Sequence, residues 1–193
     1  MARTIAFDEE ATLDKVMDLF WSTGYADTSA QDLVDRTGLS RSSLYNSFGD
    51  KHALFLRVLQ RYRERESAGL IAFLETSEPS AASIRSLLNG VVEASRAKPR
   101  RSGCFMVNTA VELGAKDAAV RRILHANMDE VIAALHAFLL RGHQAGTIRS
   151  GDALGMALAL FHTITALRVT TKAQRDPAFY GAYIDAQLHL FTP

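Results

Sequence analysis

The chain has 193 residues, of which 48% are hydrophobic and 22% charged, with a formal net charge of +1. This length allows one or two domains and the apolar content is enough for a packed core. The near-balance of charge lacks the strongly basic footprint usual for DNA binding and by itself does not point to a partner. The single cysteine, Cys104, rules out an internal disulfide and fits a reducing compartment. Met1 to Ala6 carries an arginine but no apolar core of signal-peptide length. The longest apolar run, Ala153 to Phe161, is too short for a membrane span. The expectation is therefore a cytoplasmic protein with no membrane partner.

Taken in chain order, Leu13, Val16, Met17, Phe20 and Trp21 recur at helical spacing and stop at Gly24, which predicts an amphipathic first helix. Thr28 or Ser29 can cap a second helix, because a side-chain oxygen there accepts a backbone N–H left over at the helix start. Leu33 and Val34 share its inner face, and Gly38 ends it. Ser40 caps a third helix, in which Leu44 and Phe48 stand four apart and leave Arg41, Ser42, Ser43, Tyr45, Asn46 and Ser47 facing elsewhere. Two short helices joined by a glycine turn have the layout of a helix-turn-helix, whose second helix enters a DNA groove. An αα-hairpin that serves only for packing has the same outline. On an exposed face, Arg41 could bond a guanine edge through two donors, while Ser, Tyr and Asn side chains suit phosphates and single base atoms. A fourth helix starts near Asp50 with Leu54, Phe55, Val58, Leu59 and Tyr62 on its inner side.

The run Gly24-Tyr25, Thr28-Ser29, Gly38-Leu39-Ser40, Leu44-Tyr45, Phe48 and Lys51, followed by an apolar helix, resembles the N-terminal domain of tetracycline-repressor (TetR/AcrR) family transcription regulators. The match covers about residues 8 to 62. The resemblance implies a helix-turn-helix DNA-binding domain over 1–50, a linker helix from about 51 to 66, and a helical effector-binding and dimerisation domain over 67–193. It places Arg41, Ser42, Ser43, Tyr45, Asn46 and Ser47 on the DNA-facing side of the recognition helix. Thr28 and Ser40 fall at the starts of the two helices, Gln31 where some members reach a base, and Lys51 where members contact a phosphate. The implied partners are a double-stranded operator, a small-molecule effector and a second copy of the chain, joined through the last two helices. The implied role is a repressor released from a pseudo-palindromic operator by its effector.

Residues 1–66 hold nine Lys/Arg against eleven Asp/Glu, whereas residues 41–65 hold six basic and two acidic residues. The positive charge is local, which predicts modest non-specific DNA affinity, because phosphate neutralisation scales with cationic contacts.

The second half reads as helices without strands. Glu78-Pro79-Ser80 breaks the chain and starts a helix to about Ala97; Lys98 to Gly103 is a basic loop, read as solvated. Cys104 to Leu113 is a short apolar helix. Asp117 caps a long helix to about His143, with Val120, Ile123, Leu124, Val131, Ile132, Leu135, Phe138 and Leu139 inward. Gly146 and Gly151 bracket a turn, Asp152 caps a helix to about Thr171, and Pro177 opens the last, with a stripe of Tyr180, Tyr183, Ile184, Gln187, Leu188 and Phe191. The fold class is all-α, about nine helices. The wide stripes on the last two helices either pack against a twin subunit or fill the subunit's own core.

Gly103 to Leu113 resembles a segment that, in a subset of the family, links the ligand pocket to the DNA-binding domain. Phe105, Met106, Asn108 and Glu112 mix adaptable apolar surface with polar handles; Met128, Phe161, His162, Thr165 and Arg168 are further ligand candidates, and together they favour a hydrophobic or amphipathic effector. Cys104, at a helix start after Arg100 and Arg101, is either a reactive redox or electrophile-sensing thiol or a small buried hydrophobe. The six histidines form no metal-ligand spacing, and no nucleophile elbow or phosphate loop is present. No catalytic residue, metal or cofactor is expected, and the chain does not read as an enzyme. The rival reading is an all-helical small-molecule-binding protein or enzyme whose N-terminal pair is only structural.

Overall fold

The computed structural model describes residues 7–97, 103–173 and 176–193. The basic loop expected over Lys98 to Gly103 lies outside the described residues apart from Gly103, as does the N-terminal segment Met1 to Ala6. The described residues contain nine continuous helices and no strand. They are α1 (Glu9–Thr23), α2 (Ala30–Thr37), α3 (Arg41–Phe48), α4, α5 (Ala81–Ala97), α6 (Phe105–Leu113), α7 (Ala118–Ala145), α8 (Ala153–Thr170) and α9 (Pro177–Leu188). Helix α4 is α-helical over Lys51–Tyr62, passes through a π turn over Arg63–Ser67, and is α-helical again over Ala68–Thr76. The linker helix therefore runs about ten residues beyond the boundary expected near 66.

Most helix starts are closed by a short acceptor side chain, which answers N–H groups the helix itself leaves over. Asp8, Ser29, Ser40, Asp50, Asp117, Asp152 and Asp176 each accept from the first turn of the helix that follows. Ser29, rather than Thr28, caps α2.

The helices enclose two hydrophobic cores. The first holds α1, α2, α3 and the first half of α4, with Val16, Phe20, Leu33, Leu44, Leu54 and Phe55 almost completely buried. Cys104, Phe105 and Met106 of the α6 segment, and Val120 and Leu124 of α7, belong to this same core. The second is built by the end of α4, α5, the rest of α7, α8 and α9, around Leu74, Leu88, Leu135, Phe138, Leu160 and Ile184. Packing thus divides the chain differently from sequence order: α6 and the start of α7 are folded into the N-terminal core.

Two helices, 118–145 and 153–173, are long and apolar enough to cross a membrane by length and composition. The run Ala153 to Phe161 is the first half of the second of these helices. In the fold these two helices pack along each other.

The stripes of the last two helices are only partly taken up by the subunit's own core. Tyr180, Ile184, Leu188 and Phe191 are buried in the subunit's own core, and the Tyr180 hydroxyl donates to the Thr170 carbonyl at 3.0 Å. Leu154, Leu158 and Val169 on α8, Phe179 on α9 and Leu190 just beyond it form a second, exposed apolar set.

Phe138 is fully buried at the centre of the second core, so Phe138→Ala is expected to cost about 3–5 kcal/mol through lost transfer energy and the cavity left behind. The shift in urea-unfolding midpoint measures it.

Candidate nucleic-acid interface and effector cavity

The helix-turn-helix is fixed by local chemistry. Ser29 and Asp32 form a capping box: the Ser29 hydroxyl accepts from Asp32 N at 3.1 Å and the Asp32 carboxylate accepts from Ser29 N at 2.8 Å. Hydrogen bonding to the carboxylate, first from the Ser29 side chain and then from its backbone N–H, favours the charged form and holds the Asp32 pKa below its usual value. Gly38, at φ 76°, supplies the left-handed residue that ends α2. Ser40 then caps α3 by accepting from Ser43 N at 3.1 Å. Leu33, Leu44 and Phe48 bury the inner sides. Arg41, Ser42, Ser43, Asn46 and Ser47 are consequently exposed and Tyr45 is half-buried, with the Arg41 guanidinium 5.8 Å from the Tyr45 ring centre.

The remaining expected DNA contacts fare differently. Thr28 is corrected: it is completely buried and its hydroxyl donates to the Gly24 carbonyl at 2.6 Å, so the side chain ties the turn instead of facing a duplex. Gln31 is exposed, with its amide donating to Asp35 at 2.7 Å. Lys51 opens α4 with its ammonium 4.5 Å from the Tyr25 ring centre.

The local positive charge read from residues 41–65 is largely answered within the fold. Arg57 pairs with Glu9, Arg61 with Asp14 and Glu10, Arg65 with Asp14, and Arg63 with Glu130. Arg41 and Lys51 stand over aromatic rings. This sharpens the expectation of a modest electrostatic footprint, since an arginine held by a carboxylate neutralises a phosphate only by giving up that bond. The hydrogen bond from Arg61 is the chief reason the Asp14 carboxyl titrates below its ordinary value, aided by Arg65 and opposed by burial. A carboxyl depressed in the folded state stabilises the fold above its unfolded pKa and loses that contribution as pH falls through the folded one. The stability gap between wild type and Asp14→Asn should therefore hold above about pH 4 and narrow only as pH falls below it, as read from urea midpoints across a pH series.

Two hollows lie behind this domain. A cavity of about 420 Å³ opens between the second half of α4 and α5, with Leu70, Phe73, Leu87 and Val91 as apolar wall and Trp21, Tyr62, Cys104 and Arg168 at its inner end. A groove of about 510 Å³ lies between the end of α1, α6 and the end of α8, lined by Phe105, Asn108, Glu112 and Arg168 together with Trp21 and Lys172. Arg168 and Trp21 line both. Of the sequence-predicted ligand residues, the structure thus brings Phe105, Asn108, Glu112 and Arg168 together around the groove. It does not bring Met106, Met128, Phe161, His162 or Thr165 to either hollow. Met106 is buried in the first core; Met128 is exposed on α7. Phe161, His162 and Thr165 lie along α8 between Leu158 and Val169, His162 exposed and the other two half-buried. Each falls on a helix with several faces, and its residue type does not decide which face meets a given hollow.

The cavity wall supplied by α4 and α5 escapes sequence reasoning. Nothing in Leu70, Phe73 or Leu87 distinguishes a cavity-lining residue from a core residue in sequence, because both satisfy the same periodicity. Cys104 is 3% exposed, with its sulfur 3.5 Å from the Tyr62 hydroxyl and 3.6 Å from Nη1 of Arg168, which donates to it. No group of three or more His, Cys, Asp or Glu side chains able to hold a metal occurs among the described residues.

Contacts between the domains cluster at α6. The Trp21 indole N–H donates to the Gly103 carbonyl at 3.1 Å, and the Glu112 carboxylate accepts from Tyr25 N at 3.0 Å and from Ala26 N at 2.6 Å. His52 Nε2 lies 2.6 Å from the Asp117 carboxylate.

An exposed recognition helix on a capped helix pair, backed by an all-helical domain with an interdomain hollow, defines a helix-turn-helix DNA-binding regulator. The family described as "Bacterial regulatory proteins, tetR family" matches residues 13–58, and "Tetracyclin repressor-like, C-terminal domain" matches residues 80–186. The chain belongs to the TetR family and is a DNA-binding transcriptional regulator, not an enzyme. It is 30% identical over 190 residues to the HTH-type transcriptional regulator YezE of Bacillus subtilis, covering 97% of this chain and 98% of YezE. It is 34% identical over 147 residues to the HTH-type transcriptional repressor ComR of Escherichia coli, covering 76% of this chain and 70% of ComR. Among solved structures, the TetR family regulator CifR, a cysteine mutant complexed with 26-bp double-strand operator DNA, superposes with a TM-score of 0.84 at 27% identity, over 98% of this chain and 100% of that one.

Proposed function

We propose that the chain is a homodimeric repressor, acting on DNA in the cytoplasm and released from a pseudo-palindromic operator by a small hydrophobic or amphipathic effector. The observation that carries the effector part is the shared wall of the 420 Å³ cavity: Trp21 and Tyr62, from the N-terminal core, stand beside Leu70, Leu87 and Val91 from the second. An occupant of such a cavity binds most tightly to one relative placement of the two domains. It therefore shifts the population between a placement that fits DNA and one that does not. The exposed set Leu154, Leu158, Val169, Phe179 and Leu190 supports dimerisation through α8 and α9. A two-fold dimer presents two copies of α3 to one face of the duplex and so reads a pseudo-palindrome. Arg41, Ser42, Ser43, Tyr45, Asn46 and Ser47 read or flank bases, Ser40 and Gln31 border them, and Lys51 meets a phosphate.

The test uses a duplex from the DNA upstream of the chain's own gene. Arg41→Ala is expected to lose about 1–3 kcal/mol of preference for that duplex over an unrelated one while non-specific binding changes little; fluorescence anisotropy on both duplexes measures it. Equal loss on the two, or no binding by wild type, overturns the reading. Leu158→Glu is expected to give a monomer in light scattering and to lose operator binding with it.

A second reading of the signal rests on Cys104, whose sulfur meets Arg168 and Tyr62 at the cavity end. An electrophile that enters the cavity meets this sulfur at its wall. Under this reading N-ethylmaleimide releases wild type from the duplex and leaves Cys104→Ser bound; equal release of both excludes it.

A further inference from the structure

We infer that Glu112 is a positioning residue for the DNA contact of Lys51, acting through the turn between α1 and α2 and the ring of Tyr25. This rests on the proposed role of Lys51 at a phosphate and adds the device that sets it.

Glu112 lies near the C-terminal end of α6 and reaches across the domain boundary. Its two carboxylate oxygens accept from two successive backbone N–H groups, Tyr25 N at 3.0 Å and Ala26 N at 2.6 Å. Charge-assisted bonds of this bidentate kind fix orientation as well as distance. Gly24 permits the approach: its φ is 93°, and a Cβ at that position would stand 3.2 Å from Oε2 of Glu112. On the other side of the turn the buried Thr28 hydroxyl donates to the Gly24 carbonyl at 2.6 Å. The turn is thus pinned from both ends, once from within the DNA-binding domain and once from α6.

Tyr25 carries that constraint outward. Its ring packs against Phe55 with centroids 4.9 Å apart and against Phe20 at 6.1 Å, with His52 edge-on at 6.3 Å. The Lys51 ammonium sits 4.5 Å from the centre of the same ring, within range of a cation–π attraction. Lys51 is the first residue of α4, a position at which the helix dipole disfavours a cation. The ring face offsets that local penalty and gives the ammonium one preferred direction. Helix α6 therefore touches the effector cavity at its start, through Cys104, and governs Lys51 from its end, through Glu112. A displacement of α6 reaches a phosphate-binding cation without passing through the recognition helix.

The test is the salt dependence of binding to the upstream duplex, measured on the full chain. Wild type is compared with Lys51→Met, Glu112→Ala, Tyr25→Leu and the double variant Glu112→Ala/Lys51→Met. One lost phosphate contact lowers the slope of log K against log salt by about 0.9 per subunit. Lys51→Met, Glu112→Ala and Tyr25→Leu are each expected to show that loss, and the double variant to show it only once, because coupled residues are not additive. A wild-type slope for Glu112→Ala and Tyr25→Leu beside a reduced slope for Lys51→Met overturns the inference and leaves Lys51 as a contact. A wild-type slope for Lys51→Met overturns the assignment of Lys51 itself, and the inference with it. Should Glu112→Ala fail to fold, Glu112→Gln takes its place, since it removes one of the two carboxylate acceptors of the clamp; a wild-type slope for it beside a reduced slope for Lys51→Met overturns the role of Glu112.

Discussion

The architecture depends on an aromatic junction where three segments distant in sequence meet. Trp21 lies edge-on to Tyr62 with centroids 5.1 Å apart, and Phe105 packs at 6.1 Å from Trp21 and 5.6 Å from Tyr62. Rings of this size dominate the energetics of the surfaces they share. Here the shared surface is the seam between the DNA-binding domain and α6. Because Phe105 is 2% exposed and belongs to the N-terminal core, α6 cannot shift without repacking that core. The cavity lies against the same seam, with Trp21 and Tyr62 in its wall.

Electrostatics within the N-terminal domain serve the fold first. The carboxylates of α1 face the arginines of α4, so the acidic balance of this domain staples two helices together and also restricts the charge left for a duplex. Affinity supplied by bulk charge does not distinguish sequences. Under the proposed function, a domain that pairs these arginines internally would leave recognition to the few exposed groups on α3.

Much of this is legible in the sequence, for identifiable reasons. The first four helices follow from 3.6-residue periodicity closed by Ser and Asp caps and a left-handed Gly38, so the spacing alone places Leu33, Leu44, Phe48 and Leu54 inward, where they are buried. Thr28 misleads because a hydroxyl next to a helix start looks like a cap or a DNA contact, while its real acceptor is the carbonyl of Gly24 four residues earlier. Glu112 has the composition of a pocket residue, yet its carboxylate is taken by backbone N–H groups 86 and 87 positions away, and no periodicity encodes a contact at that separation. Met128, Phe161, His162 and Thr165 show the same limit. An apolar or polar character is local, whereas the face a helix turns toward a hollow is decided by its neighbours.

The π turn at Arg63–Ser67 sits where the two cores meet along α4. In an unbroken α-helix the eight positions from Tyr62 to Leu70 would advance about 800°, leaving Leu70 roughly 80° out of line with Tyr62. A π turn absorbs one additional residue, so the effective advance is about 700° and the misalignment falls to roughly 20°. Tyr62 and Leu70 can then line the same cavity, as they do. The turn is in effect a spare residue that brings the stripes facing the two cores into phase on a single rod. Removing that residue would leave a straighter helix with both stripes still aligned, whereas a deletion elsewhere in α4 would turn one core away from the other.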